Sequence, residues 1–251
     1  MILSTLFLLI IGSIFLLIYR HIALRTIKSE SRAIERITAF VTNRGGDLSL
    51  LDKGISQQNF VECIVYLSER LNGAEQQMIA IIMRYYHIES YLLQSASRSK
   101  NCYQRAYFLA LLARLPLSER TATRLIPFIS DKFSRVRFYA LLSIIATDPQ
   151  LTIRAIERVE GRLSHNDVAE LLSVLERGVC IIPCIPLLTS DNYNMQLFGL
   201  ALVRRYGITE GRTYIVRIIE QEHNPLREQA LETLTSLGFT EQYNNHDSSI
   251  V

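Results

Sequence analysis

Apolar positions along this chain follow two patterns. From Ile2 to Tyr19 the run ILSTLFLLIIGSIFLLIY carries no charged residue, whereas beyond Asp52 apolar residues recur at intervals of three and four among polar ones. The second pattern is that of an amphipathic helix, in which positions three and four apart share a face. No stretch alternates apolar and polar residues as a half-buried strand would, and no long loop interrupts the periodic segments. The pattern therefore predicts an all-α protein. It places helices near Gln57 to Leu71, Ile88 to Ser97, Ser118 to Ile129, Thr152 to Arg162, Ile181 to Thr189 and Thr209 to Gln221, each followed by a second helix.

The second helices resemble one another. SKNCYQRAYFLALLARLP from Ser99, DKFSRVRFYALLSIIATD from Asp131, SDNYNMQLFGLALVRRYG from Ser190 and QEHNPLREQALETLTSLG from Gln221 can be laid in register. Arg105 and Arg137 are then 32 positions apart and Gln196 and Arg227 are 31 apart. A weaker copy, SHNDVAELLSVLERG, starts at Ser164, and an earlier one, GAEQQMIAIIMRYYH, at Gly73. A unit of two short helices and two turns cannot bury its apolar face alone, so about six such hairpins are expected to stack into one continuous core.

Arg135 and Arg137 stand at the start of a segment that is otherwise almost wholly apolar. A cation at a helix N-terminus opposes the helix dipole and needs a compensating partner. Asp131, six residues before Arg137, is the candidate along the chain, and an Asp131–Arg137 pair across the turn is expected. Arg105 and Arg227 occupy the same slot without an aspartate at the matching turn, which leaves them freer to meet a ligand, with Glu222 the one nearby acid to claim Arg227 in part.

In residues as well as period the chain resembles the HEAT-repeat family of armadillo-like α-solenoids. The best copy is IPFISDKFSRVRFYALLSIIA, where Pro127, Asp131, Val136, Arg137, Ala140 and Leu141 stand in the family's places. Pro186, Asp191, Gly199 and Leu200 match in a second copy, with Gln196 in place of the arginine, and Leu226, Arg227, Ala230 and Leu231 in the last. The resemblance implies a right-handed α-solenoid of about six HEAT-like helical hairpins, whose second helices line a concave side.

The charge-free N-terminal run would be about 27 Å long as a helix, close to the hydrocarbon thickness of a bilayer. It is read as a transmembrane anchor over residues 1–20, with a cleavable signal peptide as the rival reading. Arg20, Arg25, Lys28, Arg32 and Arg36 all follow it, so the N-terminus is expected outside and the solenoid facing the cytoplasm. Residues 21–46 then read as a juxtamembrane helix stopped by Gly45 and Gly46, residues 47–238 as the solenoid, and 239–251 as a polar tail ending in Ser-Ile-Val.

Composition adds little chemistry. The formal net charge of +3 and the absence of tryptophan argue against a nucleic-acid groove. Of 27 cationic residues only Lys28, Lys53, Lys100 and Lys132 are lysines, and the arginines suit bidentate contacts to carboxylates. His21, His87, His165, His223 and His246 are scattered, the Cys180 and Cys184 pair lacks further ligands nearby, and no phosphate loop, nucleophile elbow or zinc-helix motif is present. No catalytic residue, metal or cofactor is assigned.

The expected function is that of a non-catalytic, membrane-anchored scaffold or adaptor that binds a protein through the solenoid surface. Its partner is expected to be acidic, or an integral membrane enzyme. The contact stripe is expected at Tyr103, Arg105, Ser134, Arg135, Arg137, Tyr193, Gln196, Arg227 and Glu228. The alternative is a tethered HEAT-like enzyme or nucleic-acid-binding protein that uses the same groove.

Overall fold

The computed structural model describes residues 2–148, 151–178 and 182–239, with side chains described from residue 19 onward except at 177–178. The described residues form thirteen α-helices and short 3-10 segments, with no strand. The chain divides into two compact units, and the division falls within one helix, between Leu92 and Leu93.

The first unit comprises residues 2–92 and 114–116. Its helices are α1 (Ile2–Thr42), α2 (Gln57–Ser68), α3 (Ala74–Tyr85) and the first part of α4 (Ile88–Arg98). On α1, the residues Ala33, Ile37, Phe40 and Val41 are buried. They follow the i, i+4, i+7, i+8 stripe that an amphipathic helix turns toward its core, and α1 packs on both α2 and α3. The helix ends three residues before the expected glycines. Arg44 takes the left-handed conformation at φ 53°, and Gly45 N–H returns to the Phe40 carbonyl at 3.0 Å.

The expectation of a single-pass membrane protein is overturned: among the described residues, no helix is long and apolar enough to cross a membrane. The side chains of 2–18, on which most of the expected anchor falls, lie outside the described residues. From Tyr19 onward α1 carries Arg20, Arg25, Lys28, Glu30, Arg32, Glu35 and Arg36, a charge every few residues. Its buried stripe, Ala33, Ile37, Phe40 and Val41, belongs to the part of the helix that packs on α2 and α3, while Ile22, Leu24 and Ile27 are exposed.

The second unit comprises residues 93–113 and 117–239. Its helices are the rest of α4, α5 (Cys102–Leu112), α6 (Glu119–Leu125), α7 (Ser134–Thr147), α8 (Thr152–Glu157), α9 (His165–Gly178), α10 (Cys184–Leu188), α11 (Tyr193–Tyr206), α12 (Arg212–Glu220) and α13 (Arg227–Ser236). Alternate helices touch in series: α5 meets α7, α7 meets α9, α9 meets α11 and α11 meets α13. The helices between them pack behind this row, α6 and α8 on α7, α10 on α11 and α12 on α13. α7 is therefore surrounded, and Val136, Ala140, Leu141, Leu142, Ser143, Ile144 and Ile145 are all buried. The lone buried hydroxyl among them, Ser143, donates to the Tyr139 carbonyl at 2.7 Å within the helix.

The helices behind the row are shorter than their periodicity predicts, and proline explains two of them. Pro127 supplies no N–H, so α6 gives way to a 3-10 segment, Ile126–Ser130. α10 begins only after Pro183. Where α10 meets α11 the approach is close: a Cβ on Gly199 would lie 2.9 Å from Leu187 Cβ. Ala140 and Ala230, which share its place in the repeated pattern, are fully buried too.

Candidate functional site

The start of α7 is organised by Asp131, whose carboxylate does two things. It accepts the Phe133 N–H at 2.9 Å, closing the turn before the helix, and it is held bidentately by Arg105 of α5 at 3.1 and 3.2 Å. Both side chains are largely buried, with 21% and 15% of their surface exposed. The expected Asp131–Arg137 ion pair is thus corrected. Arg137 Nη1 donates to the backbone carbonyls of Asp131 and Lys132 at 2.8 and 3.2 Å, while the carboxylate belongs to Arg105. The greater freedom expected of Arg105 is corrected by the same pair.

Arg105 and Arg137 nevertheless share a local design. Arg105 Nη1 donates to the carbonyls of Ser99 and Lys100, six and five residues back, and Arg137 does the same with Asp131 and Lys132. Each guanidinium neutralises exposed carbonyls of the turn beneath it, which resolves the apparent conflict with the helix dipole. The free end then reaches toward the turn that opens the next helix of the row. For Arg105 that turn holds Asp131. For Gln196, the same fourth position of α11, it holds Asn224, whose amide donates to the Gln196 carbonyl oxygen at 3.1 Å.

At Arg137 the equivalent turn offers Gly161 and Arg162. Gly161 adopts φ +82°, and a Cβ there would lie 3.2 Å from Arg137 Nη2. Arg162 turns aside, its guanidinium 4.6 Å from the centre of the Tyr193 ring. The turn is pinned from behind by Asn194, which is buried: its oxygen accepts Leu163 N–H at 2.8 Å, and its amide donates to the Gly161 and Val159 carbonyls at 2.8 and 3.4 Å. In front of the turn lies a cleft of about 310 Å³, lined by Ser134, Arg135, Arg137, Phe138, Arg162 and Glu170 among others.

Two further clefts follow along the row. One of about 480 Å³ lies between α9 and α11, floored by Val168, Leu172, Leu197 and Ala201. Another of about 430 Å³ lies between α11 and α13, with Leu197, Leu200, Ala201 and Thr233. They share His165, Leu197, Ala201 and Arg204, so they adjoin as one groove whose apolar floor comes from α9 and α11, while α13 supplies Glu228, Gln229, Glu232 and Thr233, with Gln229 in contact with His165. Ion pairs stand on its rim, Arg205 with Glu176 and Arg204 with Glu232 at 3.2 Å. The Arg205 hydrogen bond holds the Glu176 carboxyl below the usual carboxylate range.

The structure gathers some of the residues the sequence singles out and separates others. Ser134, Arg135 and Arg137 line one cleft, and Tyr193 supports its wall through Arg162. Tyr103 is 69% exposed beside Phe133, their ring centres 5.1 Å apart. Gln196 is buried and bonded to Asn224, which removes it from the surface. Arg227 is the first residue of α13, where its Nε donates to the Ile219 carbonyl at 3.0 Å, and Glu228 edges the groove. Asn194, His165 and Arg204 escape the sequence reading. The doublet Asn192–Asn194 carries the one available signal, because a single asparagine suffices as the N-cap and the second needs another purpose.

Cys63, Cys102 and Cys184 are free thiols, Cys180 lies outside the described residues, and so does the Ser-Ile-Val ending. Among the described residues no three or more histidine, cysteine, aspartate or glutamate side chains converge as a metal site. No protein-family profile, curated protein or solved structure matches this chain.

Proposed function

We propose that the second unit is a HEAT-like α-solenoid that acts as a non-catalytic scaffold, binding an extended or helical segment of a protein partner along the row α9, α11 and α13. The observation that carries this reading is the continuity of the two clefts. An apolar floor supplied by α9 and α11, edged by polar side chains of α13 and rimmed by arginine and glutamate, suits a segment that buries side chains at intervals and orients itself by charge. Stacked hairpins create such a surface without dedicated loops, because each helix of the row contributes one wall to two neighbouring clefts.

The test is a photo-crosslinking amino acid placed at the exposed Ala169 in the groove, compared with one at the exposed Arg154 on α8, in the full chain in its native cells. The expected result is a discrete adduct with one protein from Ala169 only. Equal labelling from both positions, or none from the groove, overturns the assignment.

A further inference from the structure

We infer that Arg137, with Arg135 and Arg162, forms a site for a carboxylate carried by an acidic segment of the protein partner; this rests on the protein-binding reading and names the chemistry of its ligand. The argument starts from the interrupted sequence of joins along the row. The fourth residue of α5 reaches an aspartate and the fourth residue of α11 reaches an asparagine, each three positions before the next helix. The fourth residue of α7 is Arg137, and the position three before α9 is Arg162. A cation stands where its neighbours have an acceptor.

Arg137 is otherwise set as Arg105 is. Its Nη1 is spent on the two carbonyls beneath it, and Nη2 is directed to the next turn, against Gly161. No carboxylate of the described residues forms an ion pair with it. What faces that guanidinium is the 310 Å³ cleft, which the exposed Arg135 and Arg162 also line. A carboxylate entering there completes the bidentate contact that Asp131 makes with Arg105.

The same cleft argues for a peptide over a polyphosphate chain. Asp167 is committed to the Ser164 N–H and hydroxyl at 2.8 and 2.7 Å, and Glu160 and Glu170 also line the opening. Their carboxylates repel a continuous anionic backbone while leaving room for one acid flanked by neutral or basic residues. α9 carries the cleft on one side and the groove on the other, so one segment can engage both.

The test uses the full chain and a fluorescent peptide amide with one glutamate flanked by two alanines on each side, with its glutamine counterpart and inorganic phosphate as comparisons, at low ionic strength. Saturable binding of the glutamate peptide alone is expected, weakened at least tenfold by Arg137→Gln and changed less than twofold by Arg124→Gln on the exposed face of α6. Arg137→Gln also removes the bonds to the turn carbonyls, so Arg162→Asp gives the independent measurement. It leaves those bonds in place and supplies the internal acceptor found at the neighbouring joins. It should abolish peptide binding while the melting temperature stays level or rises. Binding that survives Arg162→Asp, or that phosphate displaces as readily as the peptide does, overturns the site. A groove adduct from Ala169 without binding of the glutamate peptide leaves the scaffold reading standing and removes this inference alone.

Discussion

The joins from α5 to α7 and from α7 to α9 begin alike and end differently. In both, an arginine at the fourth helical position caps two carbonyls of its own turn and extends toward the next one. The first arginine finds Asp131 there, while the second finds Gly161 and Arg162. The capping role belongs to the repeat and the second contact belongs to the individual join. A repeated arginine is therefore spent on its own turn at one end and, where the following turn lacks an acceptor, without a carboxylate at the other. Covering the same interhelical space with an ion pair makes a rigid link, and leaving it open makes a cleft.

The largest effect is expected where the open join is held in shape. Asn194→Ala leaves the Leu163 N–H and the Gly161 carbonyl without their buried partner, and a buried group left unsatisfied costs about 1–3 kcal/mol. A loss of about 3 kcal/mol in urea unfolding is expected, with faster hydrogen exchange at the Leu163 amide. Asn194→Asp keeps the acceptor but turns a buried carboxylate onto the Gly161 and Val159 carbonyls, so near neutral pH it should cost at least as much. A change below about 0.5 kcal/mol, the usual range for surface substitutions, would show that the turn does not depend on this side chain.

The closed join is the next to break. Asp131→Ala removes both the Arg105 pair and the acceptor for Phe133 N–H, for an expected loss of about 2 kcal/mol. Coupled with Arg105→Ala in a double-mutant cycle, it should show an interaction of about 1 kcal/mol, since the pair is largely buried. Coupled with Arg137→Ala it should be additive within about 0.5 kcal/mol, because Arg137 uses the Asp131 carbonyl, which survives the substitution. Strong coupling to Arg137 would restore the pairing along the chain and erase the distinction between the joins.

These two joins also mark what the sequence could reveal. The three-and-four spacing is a property of each segment by itself, so the helices and the repeated register of α5, α7 and α11 are legible. Ion pairing is not local in that sense. Asp131 lies six residues from Arg137 along the chain, yet its folded neighbour is Arg105, 26 residues away, because stacking brings the turn of one hairpin over the helix of the preceding one. Register fails at the last copy for a related reason. Arg227 aligns with Arg137 by spacing, but α13 begins at Arg227, so its side chain reaches back to Ile219 instead of occupying the fourth position. Asn194 shows a third limit: which of two nearby asparagines caps a helix and which turns inward is decided by the turn packed behind it. Length and apolarity make the N-terminal run an expected anchor, but the described helices include none long and apolar enough to cross a membrane.

The smallest effect sharpens the comparison by contrast with an exposed link, the Arg205–Glu176 pair on the groove rim. Glu176 lies at the surface with about a third of its side chain exposed, and its carboxyl is lowered first by the hydrogen bond from Arg205, then opposed by desolvation and helped by the guanidinium charge. A carboxyl lowered in the folded state stabilises the protein above its unfolded pKa and loses that contribution as pH falls through the folded value. Any pH-dependent contribution should therefore appear only in the acid range, and salt should weaken it because both groups are in water. Following the Glu176 carboxyl by NMR, its titration midpoint should lie below that of an ordinary glutamate and return to it in Arg205→Gln, with the urea midpoint near neutral pH almost unchanged. If Arg205→Gln leaves the Glu176 midpoint where it was, the two side chains are apart in solution and the groove between α9 and α11 has an open rim. In that case the exposed link differs from the Arg105–Asp131 join in occupancy as well as in strength.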